Sequence, residues 1–136
     1  MKKLTLLFLL LSSSVFAQKE IVQDYYVTGT VKSTIVYEDG IRNGSCNFYT
    51  EDGSLYSSMQ YSNGLLHGLL IAFYHNGFTK SKSYYELGLK NGLEELFYIN
   101  GQLQSSVGFS NGKPIGEFKY FDENGVEDKT KKIDDC

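Results

Sequence analysis

Glycine recurs along this 136-residue chain at one fixed spacing. Gly29, Gly53, Gly77, Gly101 and Gly125 stand 24 residues apart, as do Gly40, Gly64, Gly88 and Gly112, and Gly44, Gly68, Gly92 and Gly116. Thirteen of the 14 glycines fall in these three columns; only Gly108 lies outside them. A fixed period of about 20–50 residues marks a repeat architecture, in which one supersecondary unit stacks on copies of itself.

Other residue types keep the same frame. An aromatic precedes the first glycine column by four residues (Tyr25, Tyr49, Phe73, Phe97, Phe121). Another follows it by eight (Tyr37, Tyr61, Tyr85, Phe109), and a serine follows it by four (Ser33, Ser57, Ser81, Ser105). A hydroxyl present in every copy reads as a small residue that packing demands rather than as a nucleophile. Between the glycines, apolar residues alternate with period two, the signature of a strand. Val31, Ser33, Ile35 and Tyr37 share one face, as do Leu55, Ser57, Met59 and Tyr61, and Leu103, Ser105, Val107 and Phe109. That face is apolar with a serine notch; the opposite face is largely polar. Leu69, Ile71 and Phe73 alternate against Leu70, Ala72 and Tyr74 on a return strand.

Asp39-Gly40, Asp52-Gly53, Asn63-Gly64, Asn76-Gly77, Asn100-Gly101, Asn111-Gly112 and Asn124-Gly125 sit where the chain must reverse with φ > 0, the strongest short-range hairpin signal. Leu87-Gly88 departs from it. The only proline, Pro114, is expected in the turn between Gly112 and Gly116. Each unit is thus two antiparallel strands and two turns, and no stretch after the leader has helical spacing. The fold class expected is all-β: an elongated, twisted antiparallel solenoid sheet of repeated β-hairpins, with nine or ten short strands. On this register Gly101→Val is expected to be costly because Gly101 needs φ > 0. Gly108→Ala, within a strand, is expected to be neutral or slightly stabilising.

The first 17 residues read as a targeting segment. Lys2 and Lys3 precede an apolar run from Leu4 to Leu11, and Val15-Phe16-Ala17 offers a cleavage site after Ala17. The run is far shorter than the ~20 residues of a membrane-spanning helix. The organisation expected is a signal peptide at 1–17, an N-terminal capping strand at 18–28, four repeats at 29–124, and a partial repeat with a polar tail at 125–136. Localisation is then periplasmic or secreted. Removing the leader takes away Lys2 and Lys3, leaving 11 of 13 basic side chains against 16 acidic ones, a net charge near −5. That excludes nucleic acid, whose binding depends on clustered Lys and Arg. It also argues against simple attraction to an anionic membrane. Lys129, Lys131 and Lys132 are interspersed with Asp128, Asp134 and Asp135 as a solvated tail. Cys46 and Cys136 are several units apart, beyond the ~7 Å Cα limit for a disulfide unless the tail folds back.

Phe97-Tyr98-Ile99-Asn100-Gly101-Gln102-Leu103-Gln104-Ser105 and Phe109-Ser110-Asn111-Gly112-Lys113-Pro114-Ile115-Gly116-Glu117-Phe118-Lys119-Tyr120-Phe121 resemble the MORN repeat in its bacterial variant. The likeness spans nearly all of residues 25–125. Thr50 and Asp122 depart from it where a second aromatic stands, and Leu87 where a turn Asn stands. The resemblance implies hairpin sheets that act as scaffolds or partner-binding surfaces, with no catalytic residue to carry over. It also implies the antitoxin label that many bacterial members bear, which sits awkwardly with export.

No residue pattern calls for catalysis, a cofactor or a metal. His67, in the column of Asn43, Asn91 and Ile115, reads as a polar turn residue, and His75 lies in the turn before Gly77. A metal needs three or four converging ligands. Glu94 and Glu95, adjacent in a strand, point to opposite faces, and Asp122-Glu123 belongs to a turn, so neither makes the carboxylate pair of a glycosidase. The phosphate-cradling glycine loop is absent. The chain is therefore expected to be a non-enzymatic interaction or scaffold module of the cell envelope, with an antitoxin or immunity role as the alternative. The candidate docking stripe for a protein, or for a glycan, is the tyrosine column Tyr26, Tyr74 and Tyr98, interrupted at Thr50 and Asp122. Tyr25, Phe73 and Phe97 are expected to be the buried row behind it.

Export has a direct test. Mass spectrometry of envelope-localised protein should find a chain beginning at Gln18; an intact Met1 terminus there would remove the leader.

Overall fold

The computed structural model describes residues 17–131. The leader, apart from Ala17, and Cys136 with its disulfide partnership lie outside the described residues, as do Lys132, Asp134 and Asp135. Nine strands follow one another: β1 (Lys19–Tyr25), β2 (Val31–Glu38), β3 (Ile41–Tyr49), β4 (Leu55–Ser62), β5 (Leu65–Phe73), β6 (Thr79–Glu86), β7 (Leu89–Phe97), β8 (Leu103–Ser110) and β9 (Lys113–Tyr120). They form one open antiparallel sheet in sequence order. Among the described residues no helix is long and apolar enough to cross a membrane.

The register defines two faces. One row runs Asp24, Ser33, Phe48, Ser57, Ala72, Ser81, Leu96, Ser105, Tyr120, each residue opposite the next. Its neighbour runs Val22, Ile35, Cys46, Met59, Leu70, Ser83, Glu94 and continues to Val107. On this serine face the first row sets a serine on each even strand against Phe48, Ala72, Leu96 and Tyr120, and the second sets Ile35, Met59 and Val107 beside Cys46, Leu70 and Glu94. That interdigitation lets a single layer exclude water. Among the described residues Ser33, Ile35, Cys46, Ser83, Ser105 and Val107 are buried here, and Val36 alone is buried on the other face. The opposite row, Gln23, Thr34, Asn47, Ser58, Ile71, Lys82, Glu95, Ser106, Lys119, is mainly polar.

Two turn types alternate. Asp39-Gly40, Asn63-Gly64, Leu87-Gly88 and Asn111-Gly112 each carry two consecutive positive φ values, as the two-residue hairpin loop that matches strand twist requires. Leu87 pays the steric penalty at φ 49° that Asn and Asp evade. The wider turns close with Gly29, Gly53, Gly77, Gly101 and Gly125 donating to the residue three back, as Gly77 N–H does to the Tyr74 carbonyl at 3.0 Å.

The third glycine column corrects the expected turn layout. Gly44, Gly68, Gly92 and Gly116 lie inside β3, β5, β7 and β9, as do His67 (β5) and Pro114 (β9). The two-residue turn closes so tightly that Tyr37 pairs with Arg42, after which the ladder resumes only at Ile35 opposite Cys46. The surplus residues form a bulge. Gly44 takes φ 119° there, and a Cβ on it would lie 3.2 Å from the Val36 Cβ.

Gly108 occupies the bulge-facing column of Val36, Gln60 and Tyr84. A Cβ at Gly108 would stand 3.1 Å from the Ile115 carbonyl oxygen. The expectation of a neutral Gly108→Ala is therefore corrected: β9 has to yield, at about 1 kcal/mol. Leu87→Asn should gain about 1 kcal/mol by relieving the left-handed leucine. Urea unfolding checks both, and a Leu87→Asn variant no more stable than the parent would contradict the strain at that turn.

Candidate functional site

The tyrosines of the expected docking stripe are half-buried, as are Phe73 and Phe97, while Tyr25 of the expected buried row is 56% exposed, so the two rows do not divide into exposed and core. The tyrosine hydroxyls bind the next unit. Tyr26 donates to the Tyr49 carbonyl at 2.7 Å, Tyr74 to that of Phe97 at 2.7 Å, and Tyr98 to that of Phe121 at 2.9 Å. Each hydroxyl ties one wide turn to the strand end 23 residues on. Lys32 and Lys80 lie 5.8 and 5.9 Å from the rings of Tyr26 and Tyr74. Asn76 and Asn100 add parallel staples, their Nδ2 groups donating to the carbonyls of Ile99 (2.9 Å) and Glu123 (3.1 Å). Thr50 instead spends its hydroxyl inside its own turn, on Ser54 O at 3.0 Å and on the Asp52 carboxylate at 2.5 Å. The Thr50 hydroxyl, joined by the Ser54 N–H at 3.0 Å, holds the Asp52 carboxyl below its usual range.

At the last staple Tyr98 also meets the Tyr120 hydroxyl at 2.9 Å, while Lys131 Nζ lies 3.9 Å from the Tyr120 ring. The hydrogen bond to Tyr120 pushes the Tyr98 phenol up to about 12. The same bond, with Lys131, draws Tyr120 down. Asp122 takes the turn N–H groups of Asn124 and Val126, both at 2.9 Å.

One polar cluster escaped the sequence reading. Ser83 and Glu94 pair directly across β6 and β7 on the serine face, in columns otherwise held by Ile35, Met59 and Val107, and by Cys46, Leu70 and Phe118. Glu94 Oε1 accepts from Ser83 Oγ at 3.1 Å and from Lys90 Nζ at 2.5 Å. Lys90 Nζ also stands 4.7 Å from the Phe109 ring. The misfit of these two columns was the signal, visible once β6 and β7 are set side by side. Ser83 is 5% exposed and donates to a carboxylate with an ammonium beside it, an arrangement that compensates buried polarity. Glu95 lies on the other face, opposite Lys82 and Ser106.

Two hollows flank these features. One, of ≈310 Å³, lies on the serine face among Glu94, Leu96, Ser105, Val107, Phe109, Pro114 and Phe118. The other, of ≈440 Å³, lies on the wide-turn rim among Ser54, Leu55, Phe73, Tyr74, His75, Asn76 and Gly77. Among the described residues no three His, Cys, Asp or Glu side chains are placed to hold a metal. His67 Nδ1 faces the Leu87 N–H at 3.5 Å. Cys46 is 1% exposed, and burial pushes its thiol up, so oxidation there requires local unpacking.

The tyrosine staple predicts a stability difference. Tyr74→Phe strips one hydroxyl from the Phe97 carbonyl and should cost about 1 kcal/mol. Tyr84→Phe removes a hydroxyl that has no hydrogen bond among the described residues and should cost nothing measurable. Equal urea midpoints for the two variants would show that the staple contributes no stability.

No protein-family model matches this chain, and no curated protein is similar to it.

Proposed function

We propose that the chain is a non-enzymatic interaction module, exported by its leader, that presents the serine face of its sheet to a protein. What supports this is the single layer. Sheets ordinarily bury a face against a second layer, and among the described residues nothing packs on either face of this one. Apolar side chains of some size consequently stand in solvent, Leu93 and Leu96 among them. Exposed apolar area of this kind on a soluble chain marks an interaction surface. On the serine face it is best organised around the ≈310 Å³ hollow, whose lining is apolar apart from Glu94 and Ser105. Glu94 is held at its edge by Lys90 and Ser83, so the site offers a fixed polar rim to an apolar anchor. The resemblance to MORN repeats points the same way.

The test uses purified protein as bait against envelope extract, beside Leu96→Ser. Leu96 is 40% exposed and also shields Ser105, so the substitution should lower the melting temperature by a few degrees with the sheet still folded, while reducing capture of a specific protein several-fold at a temperature well below that midpoint. Capture unchanged by Leu96→Ser removes the hollow as the docking point. A captured toxin would favour the antitoxin role over a scaffold.

A further inference from the structure

Five wide turns stand side by side along one rim, leaving four gaps between successive turns. Three gaps are filled by the chain's own tyrosines, each ring lying between turns with its hydroxyl on a strand-end carbonyl. The remaining gap, between the Thr50 turn and the Tyr74 turn, has no tyrosine to fill it. Thr50 is too short to cross, and its hydroxyl is engaged with Ser54 and Asp52. Asp52 lacks the amide N–H by which Asn76 and Asn100 staple their neighbours. Tyr56, in the column of Lys32 and Lys80, turns to Phe48 at 6.3 Å instead. Among the described residues no side chain donates to the Phe73 carbonyl, the counterpart of those of Tyr49, Phe97 and Phe121. The ≈440 Å³ rim hollow lies in this gap, walled by Leu55, Phe73 and Tyr74.

We propose that the gap between the Thr50 and Tyr74 turns is a docking slot for a tyrosine side chain of a partner protein, its phenol donating to the Phe73 carbonyl as Tyr74 donates to that of Phe97. The chain itself defines the occupant: three equivalent gaps accept a phenol in this pose. A phenylalanine fills the same space without the hydroxyl, and an aliphatic side chain lacks the flat ring. The slot is separate from the hollow beside Leu96 and stands or falls independently of it.

The test titrates purified ¹⁵N-labelled protein with N-acetyltyrosinamide and with N-acetylphenylalaninamide, following backbone amide shifts. The tyrosine probe should give saturable shifts centred on Leu55 and on Phe73 through Gly77. The phenylalanine probe should bind several-fold more weakly, the change that one lost hydrogen bond produces. Thr50→Tyr should fill the slot in cis, raise the melting temperature and abolish the shifts. Equal affinity for the two probes, no shifts up to the solubility limit, or shifts that persist in Thr50→Tyr would each overturn the proposal. The two probes on the parent protein decide the matter even where Thr50→Tyr folds poorly. Self-association in sedimentation that Thr50→Tyr abolishes would overturn the foreign partner, assigning the slot to a tyrosine of a second copy.

Discussion

Among the described residues no second layer covers the sheet, so it must find its stability within itself. Strands β2 to β8 are each held by the ladder to two neighbours and the edge strands β1 and β9 to one, with cross-strand contacts on both faces and staples at the turn rim. The serine face shows how little space a single layer can seal. Ser33, opposite Phe48, and Ser105, opposite Leu96 and Tyr120, are buried, whereas Ser57 and Ser81, which both face Ala72, are only half-buried. Among the described residues only Ile35, Val36, Cys46 and Val107 of the apolar side chains become buried.

The left-handed glycines make this stacking regular. At the narrow turns they close the hairpin in two residues, and within the return strands they absorb the surplus residues as a bulge. The bulge glycine has a second reason for lacking a side chain: Val36, Gln60 and Tyr84 press against Gly44, Gly68 and Gly92 from the neighbouring strand, within 3.1–3.3 Å of where a Cβ would stand. Where the neighbour is Gly108, no atom comes within 4 Å of the equivalent position on Gly116.

The copies are not identical, and two of the differences change the surface. Thr50 empties a slot that tyrosine occupies elsewhere, and Glu94 with Ser83 puts polarity into an apolar row. A pattern repeated in every copy is a demand of stacking, whereas these departures leave a hollow and a compensated charge that stacking does not require.

The all-β class, the alternation of faces and the narrow turns were legible in the sequence, because each depends on local chemistry: φ > 0 at Gly with Asn or Asp beside it, and period-two burial. The placement of Gly44, Gly68, Gly92 and Gly116 was not, since whether surplus residues widen a turn or bulge a strand depends on the facing strand. His67 and Pro114 were misplaced into turns for the same reason. Tyr26, Tyr74 and Tyr98 stood out as a column, but their hydroxyl partners lie 23 residues away and exist only once neighbouring turns are side by side. Gly108 looked replaceable until the Ile115 carbonyl came against it. The sequence by itself thus determined which backbone conformations each residue can adopt and which side of a strand it faces. Only the tertiary structure decided which atoms meet across strands, because those contacts join residues that no local preference connects.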